Sequence, residues 1–189
     1  MLVWRFDAPA RVISSAPFGG GIGLRSWVLN ANVRSNYHRT DPAAHVGEIA
    51  STLELTGEGS GMLTAADVRA VQHASDDDVA VFATVGIGQP TWAAAPDAIA
   101  AELVGTINVV AWVPVTLSAG ALVNAVATVA EAKAQALFDA RIAGTGTATD
   151  AVVIACPEDH VAEPFGGPRS TWGARLARAT HTAVLAGAR

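Results

Sequence analysis

The chain has 189 residues, of which 51% are apolar, and a net charge of −5, enough for one domain with a full core. Its few charges include no basic cluster that could neutralise a phosphate backbone, so nucleic acid is not an expected partner. The single cysteine, Cys156, excludes an internal disulfide and a multi-cysteine zinc site and fits a reducing cytoplasm. No apolar run reaches the roughly 18 residues of a membrane span, so the chain reads as soluble, with no membrane partner.

Residues 2–6 and 11–16 are β-prone runs around Asp7-Ala-Pro-Ala, whose turn chemistry predicts a hairpin. A glycine loop, Pro17-Phe18-Gly19-Gly20-Gly21-Ile22-Gly23, leads into a strand over 25–33. No G-x-G-x-x-G precedes a helix there, which disfavours a dinucleotide fold. Alternation along that strand puts Asn30 and Asn32 on one face, where paired amides can orient a polar ligand or bind backbone locally. Asp41-Pro42 reads as an N-cap and first-turn proline opening a helix to about residue 55. Thr64-Ala-Ala-Asp67 resembles a capping box that starts a second helix through Val68, Val71 and Gln72, with Asp67 as a structural cap. Asp76-Asp77-Asp78 reads as a solvated turn rather than a metal site, because three successive carboxylates cannot all turn inward.

Strands follow at 79–85 and 109–115, with glycines 86 and 88 between them and a short helix expected over 96–103. Ser118 caps a long helix whose apolar stripe, counted at 100° per residue, carries Leu122, Val126, Val129, Ala136, Leu137 and Ala140 within about 60°. Asn124, Thr128, Glu131, Gln135 and Asp139 form its polar face. Lys133 falls inside the apolar stripe, where an ammonium is costly unless paired or at a cavity edge; the alternative is that it snorkels to water. A strand over 151–156 and an alanine-rich helix capped by Ser170 complete the chain. These elements predict a single α+β domain spanning 1–189, with a mixed, mainly antiparallel sheet packed by helices, a layered α/β/β/α arrangement being one form it can take.

The richest loop is Gly144-Thr145-Gly146-Thr147-Ala148-Thr149-Asp150. Its hydroxyls and close-approaching amides could hold an anion or an oxyanion, yet it runs from helix to strand and lacks the Walker lysine. Asp150 could orient a threonine, position Lys133, act as a base or merely stabilise a turn. Neither a Ser-His-Asp order nor G-x-S-x-G is present, so Ser14, Ser15, Thr145, Thr147 and activated water all stand as attacking groups.

Read together, Ser14-Ser15 with the following glycines, Asn30 to Asn32, Tyr37 to Pro42, Gly61-Met-Leu-Thr-Ala-Ala-Asp-Val68, Ala83-Thr-Val-Gly86, Gly105-Thr-Ile-Asn108, Glu131-Ala-Lys133 and Thr145-Gly-Thr-Ala-Thr-Asp150 resemble the adenosylcobinamide amidohydrolase family of corrinoid salvage. The resemblance implies hydrolysis of the amide between the corrin side chain and aminopropanol, releasing adenosylcobyric acid and 1-amino-2-propanol. The cobalt corrinoid is then the substrate, and no other cofactor or metal is required by the sequence. The non-catalytic alternative is a corrinoid or nucleotide binding module. From these motifs we expect Lys133, Thr145, Thr147 and Asp150 as catalytic groups. Ser14, Ser15, Gly19, Gly20, Asn30, Asn32, Gly86, Asn108, Gly144, Gly146 and Thr149 are expected to line the substrate site, with Phe18, Trp27 and Trp92 either apolar surfaces for the ring or part of the core. Removing the Lys133 charge is expected to leave folding intact or improved. A homo-oligomer is compatible with the sequence.

Overall fold

The computed structural model describes residues 1–95, 105–159 and 161–189; the short helix expected over 96–103 lies outside them. Seven strands form one mixed sheet: β1 (Leu2–Ser14), β2 (Gly21–Asn32), β3 (Gly59–Thr64), β4 (Gln72–Asp76), β5 (Val79–Gly86), β6 (Thr106–Trp112) and β7 (Ala151–Cys156). Their order is β3-β2-β1-β7-β6-β5-β4. Two of the pairings, β2–β3 and β6–β7, are parallel and the remaining four antiparallel. Among the described residues, helices α1 (Pro42–Thr52), α2 (Ala119–Asp139) and α3 (Thr171–Gly187) pack on this sheet to form an α+β domain. No helix among the described residues is long and apolar enough to cross a membrane.

The sheet curls back on itself. Asn30 on β2 donates to Thr84 Oγ1 on β5 at 3.0 Å, although four inter-strand steps separate these strands and a flat sheet would hold them about 19 Å apart. The inner face therefore buries its own apolar residues, Val28, Met62, Val110 and Val153 among them. On the outer face α1 covers Trp27 and Leu29 of β2, while α2 and α3 cover Val81, Val109 and Ile154 of β5 to β7. A section through the domain thus meets helix, strand, strand and helix, but the two strand layers are halves of one folded-over sheet.

Several local expectations give way to tertiary demands. The hairpin expected at Asp7 to Ala10 is a register shift inside the single strand β1, where Pro9, lacking an N–H, suits an irregular position. The helix expected from Thr64 is a single 3-10 turn, Val68–Ala70, followed by β4. Thr64 instead ends β3 in parallel register with Asn32, and that ladder outweighs a marginal local helix. Asp67 does cap its turn, accepting from the Arg69 amide at 3.0 Å. Asp41 precedes α1 without a side-chain cap, because Arg39 holds its carboxylate. The turn at Asp76 to Asp78 is tied to α3, Asp76 by Arg178 and Asp77 by Arg175. Ser118 and Ser170 cap α2 and α3 as expected. Along α2, Leu122, Val129, Ala136 and Leu137 are buried. Thr128 of the expected polar face is buried as well, donating to the Gly166 carbonyl at 2.9 Å.

Candidate active site

One end of the curled sheet opens into a cleft of about 340 Å³, lined by Tyr37 and Arg34 at its mouth and by Met62, Thr64, Thr106, Thr149 and Ala151 on its walls. The lining follows from strand phase. Met62 and Thr64 alternate inward along β3 beside Asn30 and Asn32 of β2, and Thr106 lies in phase with Asn108 on β6. Thr149 donates to the Gly105 carbonyl at 3.0 Å, so the 2.7 Å contact between the Thr106 and Thr149 hydroxyls has Thr106 as donor. Both hydroxyls consequently offer lone pairs rather than protons to a ligand.

Below this layer Asn108 donates to Asn30 Oδ1 at 2.9 Å and to the Leu63 carbonyl at 3.0 Å. Its own Oδ1 is buried and makes no hydrogen bond among the described residues, an uncommon state for a buried acceptor. Asn32 is spent on the Thr64 and Ala66 carbonyls. Ser14, also inward, accepts from Ser60 at 2.7 Å and from the Ala16 amide at 3.0 Å. Ser15 accepts from the Val152 amide at 2.9 Å and so fastens β1 to β7.

A second depression, of about 310 Å³, is bordered by Thr91, Lys133, Thr145, Gly146, Thr147 and Asp150. Lys133 forms an ion pair with Asp150, the two side chains being 14% and 11% exposed. The charge on the apolar stripe of α2 is therefore paired rather than snorkelling. Asp150 Oδ1 accepts from the Ile107 amide at 2.8 Å and from Thr147 Oγ1 at 2.5 Å, and Oδ2 from the Thr147 amide at 3.0 Å and from Lys133. All four lone-pair positions of the carboxylate are filled. The knot joins α2, the threonine loop and the start of β6, one residue from Thr106. Gly146 makes room for it, since a Cβ there would lie 2.5 Å from both Asp150 Oδ2 and Lys133 Nζ.

The remaining expected residues are placed more simply. Thr145 accepts from the Ala93 amide at 3.0 Å, and Gly144 packs against Pro90 and Thr91. Gly86 ends β5, its carbonyl against Gly105 next to Thr147, so the second glycine segment adjoins the threonine loop. Gly19 lies with its backbone against Gly59, and Gly20 against Ala16; neither is among the residues lining the two depressions. Trp27, expected as a ring-binding surface, is 3% exposed in the core and stacks on Phe18 at 5.8 Å, so neither ring of that pair forms an open platform. Trp92 is 57% exposed.

Tyr37, Thr64 and Thr106 line the cleft without having stood out as site residues in the sequence. For the two threonines the signal was available: each is in phase with an inward asparagine or methionine on its own strand. Tyr37 carries no such periodic signal, because an irregular connection sets its position. No group of three or more His, Cys, Asp or Glu side chains that could hold a metal occurs among the described residues.

The model of the protein family described as adenosylcobinamide amidohydrolase matches residues 1–189. The chain is 27% identical over 182 residues to a Methanosarcina mazei protein named adenosylcobinamide amidohydrolase, an alignment that spans 92% of this chain and 88% of the relative. A Halobacterium salinarum protein of the same name is 38% identical over 115 residues, 57% of this chain and 49% of that one.

Proposed function

The chain belongs to the adenosylcobinamide amidohydrolase family, and on that premise we propose that it hydrolyses the aminopropanol amide of adenosylcobinamide. The products are adenosylcobyric acid and 1-amino-2-propanol, formed in the cytoplasm during corrinoid salvage. The observation that carries this reading beyond the family is the cleft at the open end of the curled sheet, with hydroxyl oxygens on an otherwise apolar wall. A corrin ring is too large for about 340 Å³, so the ring rests outside while the side-chain arm and its amide enter. The lone pairs of Thr106 and Thr149 suit the amide N–H and the arm's hydroxyl as donors.

Amide hydrolysis requires an attacking oxygen, stabilisation of the tetrahedral oxyanion and a proton for the departing amine. Lys133, Thr145 and Thr147 border the second depression, next to the cleft wall along the loop that carries Thr149, and the Lys133 charge is paired with Asp150. In this reading Asp150 acts by position: with both oxygens occupied, it holds Lys133 and the start of β6 so that Thr106 and Thr149 keep their places on the wall.

The test is incubation with adenosylcobinamide followed by mass analysis of both products. Release of 1-amino-2-propanol with adenosylcobyric acid is expected. A corrin spectrum that shifts on mixing without any release of aminopropanol would replace the enzyme with a binding module.

A further inference from the structure

Tyr37 stands at the mouth of the cleft, and its ring lies flat on His45 of α1, with centroids 5.5 Å apart and planes at 12°. Tyr37 Oη and His45 Nδ1 are 3.1 Å apart. His45 also lines a separate depression with Met1, Glu48 and Ile49. Tyr37 thus lines the cleft while an imidazole backs its hydroxyl, and a phenol–imidazole pair at the wall of a substrate cleft is an arrangement for passing a proton inward. It is also the only tyrosine in the chain.

Resting on the amidohydrolase reading above, we propose that Tyr37 is the proton donor to the departing amine and that His45 restores its proton. Water bonds to the acyl carbon, the C–N bond breaks with its electron pair on nitrogen, and that nitrogen takes the Tyr37 proton. The phenolate recovers a proton from His45 Nδ1. The proton shed by the attacking water returns to the imidazole through solvent in the depression at Met1 and Glu48, so the cycle closes without another reactant. Burial raises the Tyr37 pKa, which keeps the phenol protonated until an amine nitrogen develops beside it. The charged groups around the pair are Arg34 at the cleft mouth and Arg39, whose guanidinium is engaged by Asp41 and Glu48.

The test compares two leaving groups. Tyr37→Phe keeps the ring on His45 and removes only the hydroxyl. It is expected to lower kcat for adenosylcobinamide by about 10²-fold, the usual scale for losing a general acid. The same variant should hydrolyse a nitrophenyl ester of adenosylcobyric acid within a few-fold of the parent, because nitrophenolate leaves without a proton. His45→Gln, which can donate a hydrogen bond to the phenol but cannot relay a proton, should lower kcat for the amide with KM little changed and spare the ester. Equal losses on amide and ester would make Tyr37 a structural or binding residue, and no loss on the amide would remove it from the reaction; either result overturns the proposal. A parent enzyme that turns over neither compound would overturn the amidohydrolase reading itself. A parent active on the amide alongside an equally active Tyr37→Phe would overturn only the donor assignment.

Discussion

Asp150 accepts four hydrogen bonds from three segments of chain, which changes what substitution of Lys133 should do. In sequence the lysine reads as a buried cost whose removal is neutral or favourable; in the structure its removal leaves a mostly buried carboxylate without its counter-charge. We expect Lys133→Met to lower stability by about 2 kcal/mol, below the roughly 3–5 kcal/mol of a fully isolated buried charge because three other donors remain on Asp150. Urea unfolding of parent and variant measures this, and an unchanged midpoint would show that the pair contributes nothing. Turnover should fall by about 10²-fold as the knot loosens and Thr106 and Thr149 shift on the cleft wall, the scale expected for a misplacement of about 1 Å. Asp150→Asn keeps the shape but brings an NH₂ against one of the knot's donors, so it too should destabilise, whereas Lys133→Met combined with Asp150→Asn should cost less than the sum of the two single changes.

At the level of elements, β2 and β3 are held in contact by glycines that leave no room for a side chain. A Cβ on Gly59 would lie 2.0 Å from the Trp27 ring, directly across the parallel ladder. Trp27 cannot yield easily, since it is buried and stacked on Phe18. Gly59→Ala should therefore destabilise by about 2 kcal/mol or more through overpacking, visible as a lower unfolding midpoint with a changed near-UV signal from the displaced indole. Gly19 is constrained twice over, with φ at 63° and a Cβ that would meet the Gly59 carbonyl oxygen at 1.9 Å; a substitution there has no rotamer to relieve it. The end of α3 is a milder case. Ser170 accepts from the Gly173 amide at 3.1 Å, and Ser170→Ala should cost about 1 kcal/mol, the usual loss for an N-cap, with activity unchanged because α3 packs on the outer face of the sheet.

Across the whole molecule, exposed ion pairs tie the connections to the elements. Arg39 bridges Asp41 and Glu48, and Arg178 holds Asp76. Hydrogen bonds from these guanidinium groups hold the three carboxyls below their usual pKa values. A folded-state pKa below the unfolded one contributes stability above the unfolded value, and that contribution is lost as pH falls through the folded one. The domain should accordingly lose stability on acidification below about pH 4, the usual carboxylate value. The loss should shrink in high salt, where these exposed pairs are screened. Thermal unfolding between neutral pH and pH 3, with and without added salt, checks both signs; a midpoint independent of pH would show that these pairs are energetically silent.

Periodicity and capping were enough to locate α2, α3, β5 and β7, because each carries an apolar pattern or a cap that its neighbours do not disturb, whereas the strand expected over 109–115 is β6, Thr106–Trp112, three residues earlier. They also singled out Lys133 as a charge needing a partner, and the ordered motifs pointed to the family that the whole chain matches. What only the tertiary structure decided is which hydroxyls and amides meet. Thr84 and Asn30 touch only because the sheet curls across four inter-strand steps, and residues 64 to 76 become a strand end, a 3-10 turn and another strand because ladder hydrogen bonds outweigh a marginal helix. Tyr37 reaches the cleft from an irregular connection whose path no local period encodes. Hydrophobic pattern and capping are local and survive in the sequence, whereas the curl of a sheet and the partner of a polar atom are set by contacts between segments far apart in the chain.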